Sequence, residues 1–390
     1  MTGKKKDKLL ILSSWYPNKA SEIGGVFVQD QAQVLSRQYD VIVLVPRFFG
    51  LRDVIKGKSL PRSRVEECDG IRVYRQEILF STRVPFRLQA GLYLRLAHQG
   101  FSKILTLWGK PDIIHAHVVW PAGWQAVMLG RKYSIPVVMT EHAGPFSHLF
   151  KSEFQKSLIR ETLAQVNRVI AVSSALAEQI RSFVSTVDVD IVGNVIRTDF
   201  FTPPEDSPGQ DHLPVRRFLS VASIEEAKGI QYLLQAIHLL IQGGVTSFEV
   251  YIGGDGSARP RLEEMAKTLG LSDKCHFLGF LTRSMVRHWM RQCDVFVLPS
   301  LRETFGIVLG EAMACGKPVI STRCGVPDLL IAPETGFFVD VASAPALADA
   351  MDKFISRQIT YDPHLIRKSI VTRFGEEAFL HNITAIYDQV

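Results

Sequence analysis

The segment richest in chemistry is 299–318, PSLRETFGIVLGEAMACGKP, which follows a short apolar run and reads as a turn opening into a helix. Glu303 falls in the turn and Glu311 inside the helix. With the helix starting near Phe305, six residues at about 1.5 Å each place the second carboxylate roughly 9 Å further along the axis. Carboxylates so spaced address different parts of one elongated ligand, each accepting hydrogen bonds from hydroxyl groups. Between them the amides of Phe305, Gly306 and Ile307 point out of the positive end of the helix, and Gly306 admits close approach; that is an anion or phosphate site. Hydroxyl acceptors at both ends and a phosphate site between them describe a nucleotide-sugar pocket. The plainer alternative is that Glu303 caps the helix and Glu311 lies on its surface.

Other residues have chemical potential of their own. Lys228 stands at a helix start, where it is either a phosphate ligand or a surface lysine. The run Gly253-Gly254-Asp255-Gly256 follows a strand but lacks the G-x-G-x-x-G spacing, which argues against a nicotinamide site. Gly24 and Gly25 sit between the first strand and a helix beginning at Val26, where they permit positive φ and close backbone approach, or form a plain turn. His115 and His117, two apart on a strand end, share a face. A metal is one use of that spacing, but no third ligand is evident nearby, and neither a metal nor a cofactor is expected. His142 ends the following strand, as a site histidine or a packed one. Trp15 and Trp120 also follow strand ends, where an aromatic face either stacks on a sugar or packs in the core.

The elements that must position these residues read as an α/β fold. At 390 residues the chain is long for one core and suits two domains. Apolar residues at 46% and charged residues at 22% exclude disorder and fibrous repeats. Short Val- and Ile-rich runs separated by helix-length segments predict parallel strands at 9–12, 41–45, 71–74, 113–117, 137–141 and 169–172, then at 218–222, 248–252, 276–278, 295–298 and 319–321. Helices are clearest at 229–241, 259–269, 306–314 and 344–356. The Pro- and Gly-rich stretch 202–214 reads as a linker. Two doubly wound, Rossmann-like domains joined this way are expected to face an interdomain cleft at the carboxyl ends of their strands.

Five cysteines without a CxxC pair predict neither a disulfide framework nor a cysteine zinc site. No apolar stretch approaches the roughly 20 residues that span a bilayer, and the four lysines and four apolar residues near the N-terminus fall short of a signal peptide, so a cytoplasmic location is expected. Residues 1–200 carry a net charge of +10 and residues 201–390 a net −4. Such a basic half suits an anionic ligand, a nucleic acid, an anionic membrane surface or simply a solvated face. Its excess concentrates in 47–103, net +7, which contains the basic, apolar segment 84–96, either a membrane-surface helix or a packed one.

The spacing Glu303-x7-Glu311 with FG between, followed by GKPVI and TGFFV, resembles the E-x7-E signature of retaining GT-B glycosyltransferases of family 4, the glycosyl transferases group 1. The resemblance runs along most of the chain: ILSSWYP and GGVFV, then HAH, TEH, VSS and GNVIRTDFF, then KGI, GGDG, FLGFL and CDVFVLPSLRETFGIVLGEAMACGKPVI. It implies an acceptor-binding domain over 1–200, completed by a C-terminal helix at 374–390, and a donor-binding domain over 215–373. It also implies that Glu311 binds the ribose and Glu303 the transferred sugar. Phe305, Gly306 and Ile307 would hold sugar hydroxyls and diphosphate, with Lys228, Gly25 and Gly254 completing the donor site. His142 would lie beside the reacting sugar, and His117, Trp15 and Trp120 on the acceptor side.

One departure stands out. The family's G-R-x-x-x-x-K-G stretch keeps its lysine as Lys228 but has Ser223 at the arginine position, which leaves Arg302 or Arg323 to compensate. The implied reaction is metal-independent sugar transfer from a nucleotide-diphosphate sugar to an acceptor hydroxyl with retention, by front-face attack. The implied partners are a nucleotide sugar, a glycan or lipid-linked acceptor and an anionic surface at the inner face of the cell membrane, with no nucleic acid. A sugar-nucleotide 2-epimerase and a non-catalytic membrane- or polysaccharide-binding protein are the competing readings.

Overall fold

The computed structural model describes residues 6–18, 23–49, 63–80, 84–150, 152–205, 215–325 and 330–390. The chain forms two compact units, Met1–Val195 with Phe379–Val390, and Ile196–Ala378.

The first unit is built on β1 (Lys8–Ser13), β2 (Asp40–Phe49), β3 (Arg64–Cys68), β4 (Ile71–Leu79), β5 (Ile113–His117), β6 (Val137–Glu141), β7 (Arg168–Ala171) and β8 (Val189–Ile191). They lie in the order β3-β4-β2-β1-β5-β6-β7-β8, parallel except for β3, which pairs antiparallel with β4. The two-residue connection Asp69-Gly70, both at positive φ, makes that hairpin, and aspartate followed by glycine suits such a turn. Its helices are α1 (Val26–Leu35), α2 (Phe86–Leu107), α3 (Trp124–Tyr133), α4 (Glu153–Gln165) and α5 (Ser174–Phe183). The central strands are buried on both faces, as the unbroken apolar runs require.

In the second unit β9 (Arg216–Val221), β10 (Phe248–Gly253), β11 (Cys275–Gly279), β12 (Val295–Leu298), β13 (Val319–Thr322) and β14 (Gly336–Val339) form a parallel sheet ordered β11-β10-β9-β12-β13-β14. With it go α6 (Ile230–Gln242), α7 (Arg259–Thr268), α8 (Arg283–Gln292), α9 (Ile307–Ala314), α10 (Ala344–Ile355) and α11 (Pro363–Phe374). A last helix, α12 (Glu376–Tyr387), begins in the second unit and from Phe379 onward supplies core residues to the first.

The chain passes between units at 195/196 and 378/379 rather than near 200 and 374. Residues 196–201 belong with α11: Ile196 N donates to Phe374 O at 2.8 Å, and the Arg367 guanidinium donates to the carbonyls of Thr198 and Phe201, each at 2.9 Å. The proline-rich stretch therefore does not begin at the boundary, and its portion 206–214 lies outside the described residues.

Segment 84–96 falls on α2, whose two faces differ. Ala90, Leu96, Ala97, Gly100, Phe101 and Ile104 are buried, with Gly100 against the Leu44 side chain of β2, while Arg87, Leu88, Arg95 and Lys103 are exposed. Among the described residues no helix is long and apolar enough to cross a membrane.

Candidate active site

In the second unit the turn 299–306 leaves β12 and is pinned from two sides. Leu301 N donates to Ala227 O at 2.8 Å, and Glu303 N donates to Cys324 O at 2.9 Å. Gly229, at φ +69, is pressed so close that a Cβ there would lie 1.9 Å from Pro299 O, so only glycine can occupy it. This contact carries the neighbouring Lys228 into the turn, where its Nζ donates to Glu303 Oε1 at 2.6 Å. Ser300 Oγ donates to the same oxygen at 2.8 Å. Glu303 is therefore held by a cation and a hydroxyl and does not cap the helix.

Helix α9 begins at Ile307, one residue later than the predicted 306–314 and two later than the start near Phe305 used for the spacing, because Gly306 takes the left-handed conformation at φ 80 and serves as its N-cap without a side-chain cap bond. Phe305 is consequently buried, with its ring against Phe374 at 5.4 Å, and its amide precedes the helix. The first amides that lack an intrahelical acceptor are those from Ile307 onward. Glu311, expected at the ligand or on the surface, is only 9% exposed and faces Arg283 of α8, Oε1 to Nη2 3.7 Å. Arg283 is a site cation that sequence reasoning missed, and no motif around it marks it.

Gly254 follows β10 at φ +128, where a Cβ would lie 1.8 Å from Ala222 O; glycine is obligatory there too. Ser223, in the same loop region, is exposed. Of the two arginines considered as replacements, both are exposed and Arg323 lies over the Phe338 ring at 5.0 Å.

In the first unit β5 and β6 bring the histidines together. His117 Nδ1 lies 2.9 Å from His142 Nε2, and the ring of His115 stacks on that of His117 at 4.5 Å. His115 is itself held between Tyr387 Oη at 2.6 Å and Thr140 Oγ1 at 2.8 Å. Burial drives the pKa of His115 and of His142 down to about 3 and that of His117 well below its ordinary value. All three rings are thus neutral near pH 7, so between His117 and His142 one nitrogen donates and the other accepts. Among the described residues no group of three or more His, Cys, Asp or Glu is placed to hold a metal ion.

Glu141, which sequence reasoning passed over although it adjoins His142, shapes the loops here. Its carboxylate accepts from the amides of Val119, His142 and Ala143 at 2.8 to 2.9 Å. Burial nevertheless pushes its pKa up to about 7, because desolvation outweighs those three bonds.

His142 also packs on the Phe27 ring at 4.5 Å, and Trp15 meets Phe27 edge-on at 6.2 Å. Gly25, at φ +81, lets the first loop fold back on the Trp15 carbonyl, since a Cβ there would come within 2.5 Å of it. Trp15, Gly25 and Trp120 share one cavity of about 600 Å3 that lies wholly within the first unit. The structure therefore joins Lys228 to Glu303, and His117 to His142, and puts both tryptophans on one pocket.

A family model described as Glycosyl transferases group 1 matches residues 210–369, and one described as Glycosyltransferase Family 4 matches residues 24–200. The chain belongs to the group 1 glycosyltransferases. Among curated relatives, this glycosyltransferase is 29% identical to TuaC of Bacillus subtilis, a protein assigned to teichuronic acid biosynthesis as a glycosyltransferase, over 90% of each chain. Among solved structures it is similar in fold to the sucrose-phosphate synthase of Thermosynechococcus elongatus, with TM-score 0.76, 22% identity and 98% of each chain covered. It is likewise similar to HepE of Anabaena solved with UDP and glucose, with TM-score 0.72, 18% identity, and 99% and 100% of the two chains covered. Both units thus have the GT-B fold.

Proposed function

We propose that this glycosyltransferase moves a sugar from a nucleoside-diphosphate sugar to an acceptor hydroxyl with retention and without a metal, in the synthesis of a glycan, polysaccharide or glycolipid. The observation that carries the reading is the Lys228–Glu303 pair beside the start of α9: a cation for the departing diphosphate, a carboxylate for sugar hydroxyls, and amides between. Glu311 takes the ribose hydroxyls. The UDP and glucose bound to HepE, and the teichuronic acid assignment of TuaC, support this choice of donor and product.

In the proposed step the acceptor oxygen attacks the anomeric carbon on the face from which the diphosphate leaves. The bond from that carbon to the phosphate oxygen breaks, and the acceptor's proton passes to that oxygen. We assign neutral His142 to the reacting sugar as a hydrogen-bonding group, since its depressed pKa keeps it from carrying charge. The exposed basic face of α2 serves to dock the protein on an anionic membrane surface; Arg83, which precedes this segment in the sequence, lies outside the described residues.

The test is a thermal-shift panel of nucleotides and nucleotide sugars, followed by NMR of the transfer product. A shift with one nucleoside diphosphate and its sugar, transfer that persists in EDTA, and a product with the donor's anomeric configuration are the expected results. Inversion at the anomeric carbon overturns the mechanism. If no UDP-, GDP-, ADP- or dTDP-sugar binds or is cleaved, the donor assignment fails.

A further inference from the structure

Glu141 ends β6 with a fully buried carboxylate. Its two oxygens serve two different connections. Oε1 accepts from the amides of His142 and Ala143, just after β6, at 2.9 and 2.8 Å, while Oε2 accepts from the amide of Val119, just after β5, at 2.8 Å. One side chain thus fastens the connection from β5 to α3 to the loop that follows β6.

Those two segments carry the groups with chemical potential in this unit. Trp120 and Pro121, next to Val119, line the cavity together with Trp15 and Gly25. His142 packs on Phe27, whose ring Trp15 meets edge-on. The backbone leading into the first segment is held against its preference: Val118 is β-branched yet stands at φ +72, a conformation that persists only where the surroundings impose it. Here Val118 N donates to Thr140 O at 2.8 Å, Val118 O accepts from Gly123 N at 2.9 Å, and the very next amide is the one that Glu141 binds.

We propose that Glu141 is a positioning residue for the acceptor: through Val119 it sets Trp120 in the cavity wall, and through the two amides after it sets His142, so that the two keep a fixed relation for the incoming hydroxyl. This rests on the transferase reading above, with Trp120 on the acceptor side and His142 at the reacting sugar, and it adds the group that ties them. The tie needs the carboxylate ionised. All three of its partners are N–H groups, so a proton on either oxygen puts a donor where an acceptor is required and loosens an amide. Burial pushes the pKa of Glu141 up to about 7 against the lowering effect of those amides. The titratable groups around it are His115 and His117 of β5 and the adjoining His142, all kept neutral by burial; on β7 the residue opposite is Ala171, with Arg168 at the other end of that strand. Acceptor use should therefore weaken as pH falls through 7.

The experiment has an amide arm and a turnover arm. In wild-type protein labelled with 15N-valine, the Val119 amide proton shifts between about pH 5.5 and 8.5 with a midpoint near 7. In Glu141→Gln, which keeps the shape but offers one accepting atom instead of two, amide exchange in 119–123 or 142–143 quickens at least about fivefold. With the nucleotide sugar fixed by the panel above and p-nitrophenyl hexosides as acceptors, wild-type kcat/KM for the acceptor falls as pH drops through about 7. The Gln variant lies at least about tenfold below the wild type at about pH 8 and lacks that limb, while its nucleotide affinity stays within about twofold. A Val119 amide that does not titrate, wild-type kcat/KM in the variant, or a variant that keeps the acidic limb overturns the proposal. Should the variant not fold, the wild-type amide titration and pH profile decide. Failure of the transferase reading shows itself separately, as a wild type that binds no nucleotide, and the amide arm then still decides whether Glu141 holds the two segments.

Discussion

Lys228 and Glu303 hold each other at 2.6 Å, so each meets a donor already neutralised by the other. A diphosphate that draws on Lys228 must compete with Glu303, and a sugar hydroxyl that donates to Glu303 loosens the lysine for the phosphate. Glu311 is separate from this exchange: it answers to Arg283, on a different helix. The proposed roles therefore give the two carboxylates opposite signatures. Glu303→Ala is expected to leave nucleoside-diphosphate affinity unchanged or improved, because Lys228 is released, while transfer falls on the order of 100-fold. Glu311→Ala loses hydrogen bonds to the ribose and removes the carboxylate that faces Arg283, so nucleotide affinity drops by at least about tenfold. Titration of both variants with the free nucleotide and with the intact donor separates these outcomes. Equal losses of nucleotide binding in the two would sink the assignment.

The elements that carry the site differ in how far the sequence discloses them. The β12–turn–α9 segment was legible because its chemistry is local: a buried strand, a turn with glycine, and a carboxylate on each side within 20 residues. Its helix start was misplaced by one or two residues, because the positive φ of Gly306 makes a cap where the pattern suggested a first turn. The edge strands β3, β8 and β14 went unseen; three to five residues against a single neighbour leave too little apolar pattern to register. Least legible were pairs distant in sequence, such as Arg283 with Glu311, or His115 with Tyr387, 272 residues away, since nothing local to either partner encodes the other. That last pair ties β5 to α12 and makes the histidine column a property of three elements at once. Its pH behaviour follows from the direction of each shift. His115 and His142, ordinarily near 6.5, sit at about 3 when folded, and His117 is well below its ordinary value, so each stabilises the fold fully above 6.5 and progressively less as pH falls toward 3. Glu141, ordinarily 4.5 and about 7 when folded, acts oppositely and weakens the fold as pH rises through 7. Between pH 4.5 and 6.5 three imidazoles oppose one carboxyl, and unfolding takes up about two protons through this group. Urea unfolding across that window should show stability rising with pH. Tyr387→Phe, which strips His115 of one partner, should lower stability by about 1–3 kcal/mol and keep the slope. Stability that is flat or falls with pH across the window contradicts the buried neutral column.

At the scale of the whole molecule the charge is divided: residues 1–200 carry net +10 and residues 201–390 net −4, yet the proposed phosphate site lies on the acidic side. Local groups, Lys228 and the amides of α9, bind the donor there, so the basic excess has other work. Much of it falls within 47–103, and α2 turns its share outward. The helix contains no Asp or Glu, its buried stripe packs toward the sheet, and Arg87, Arg95 and Lys103 remain exposed beside Leu88. Each basic residue near an anionic lipid surface contributes about 1 kcal/mol, and apolar side chains between them add to the attachment. Cosedimentation with vesicles containing anionic phospholipid should therefore exceed that with zwitterionic vesicles and fall as salt rises from about 0.05 to 0.5 M, because screening shortens the reach of the surface potential. Arg87→Glu combined with Arg95→Glu should lower vesicle affinity by about tenfold or more while nucleotide binding in the other unit persists. Binding indifferent to salt, or equal on neutral and anionic vesicles, would remove the membrane from the account of this basic face.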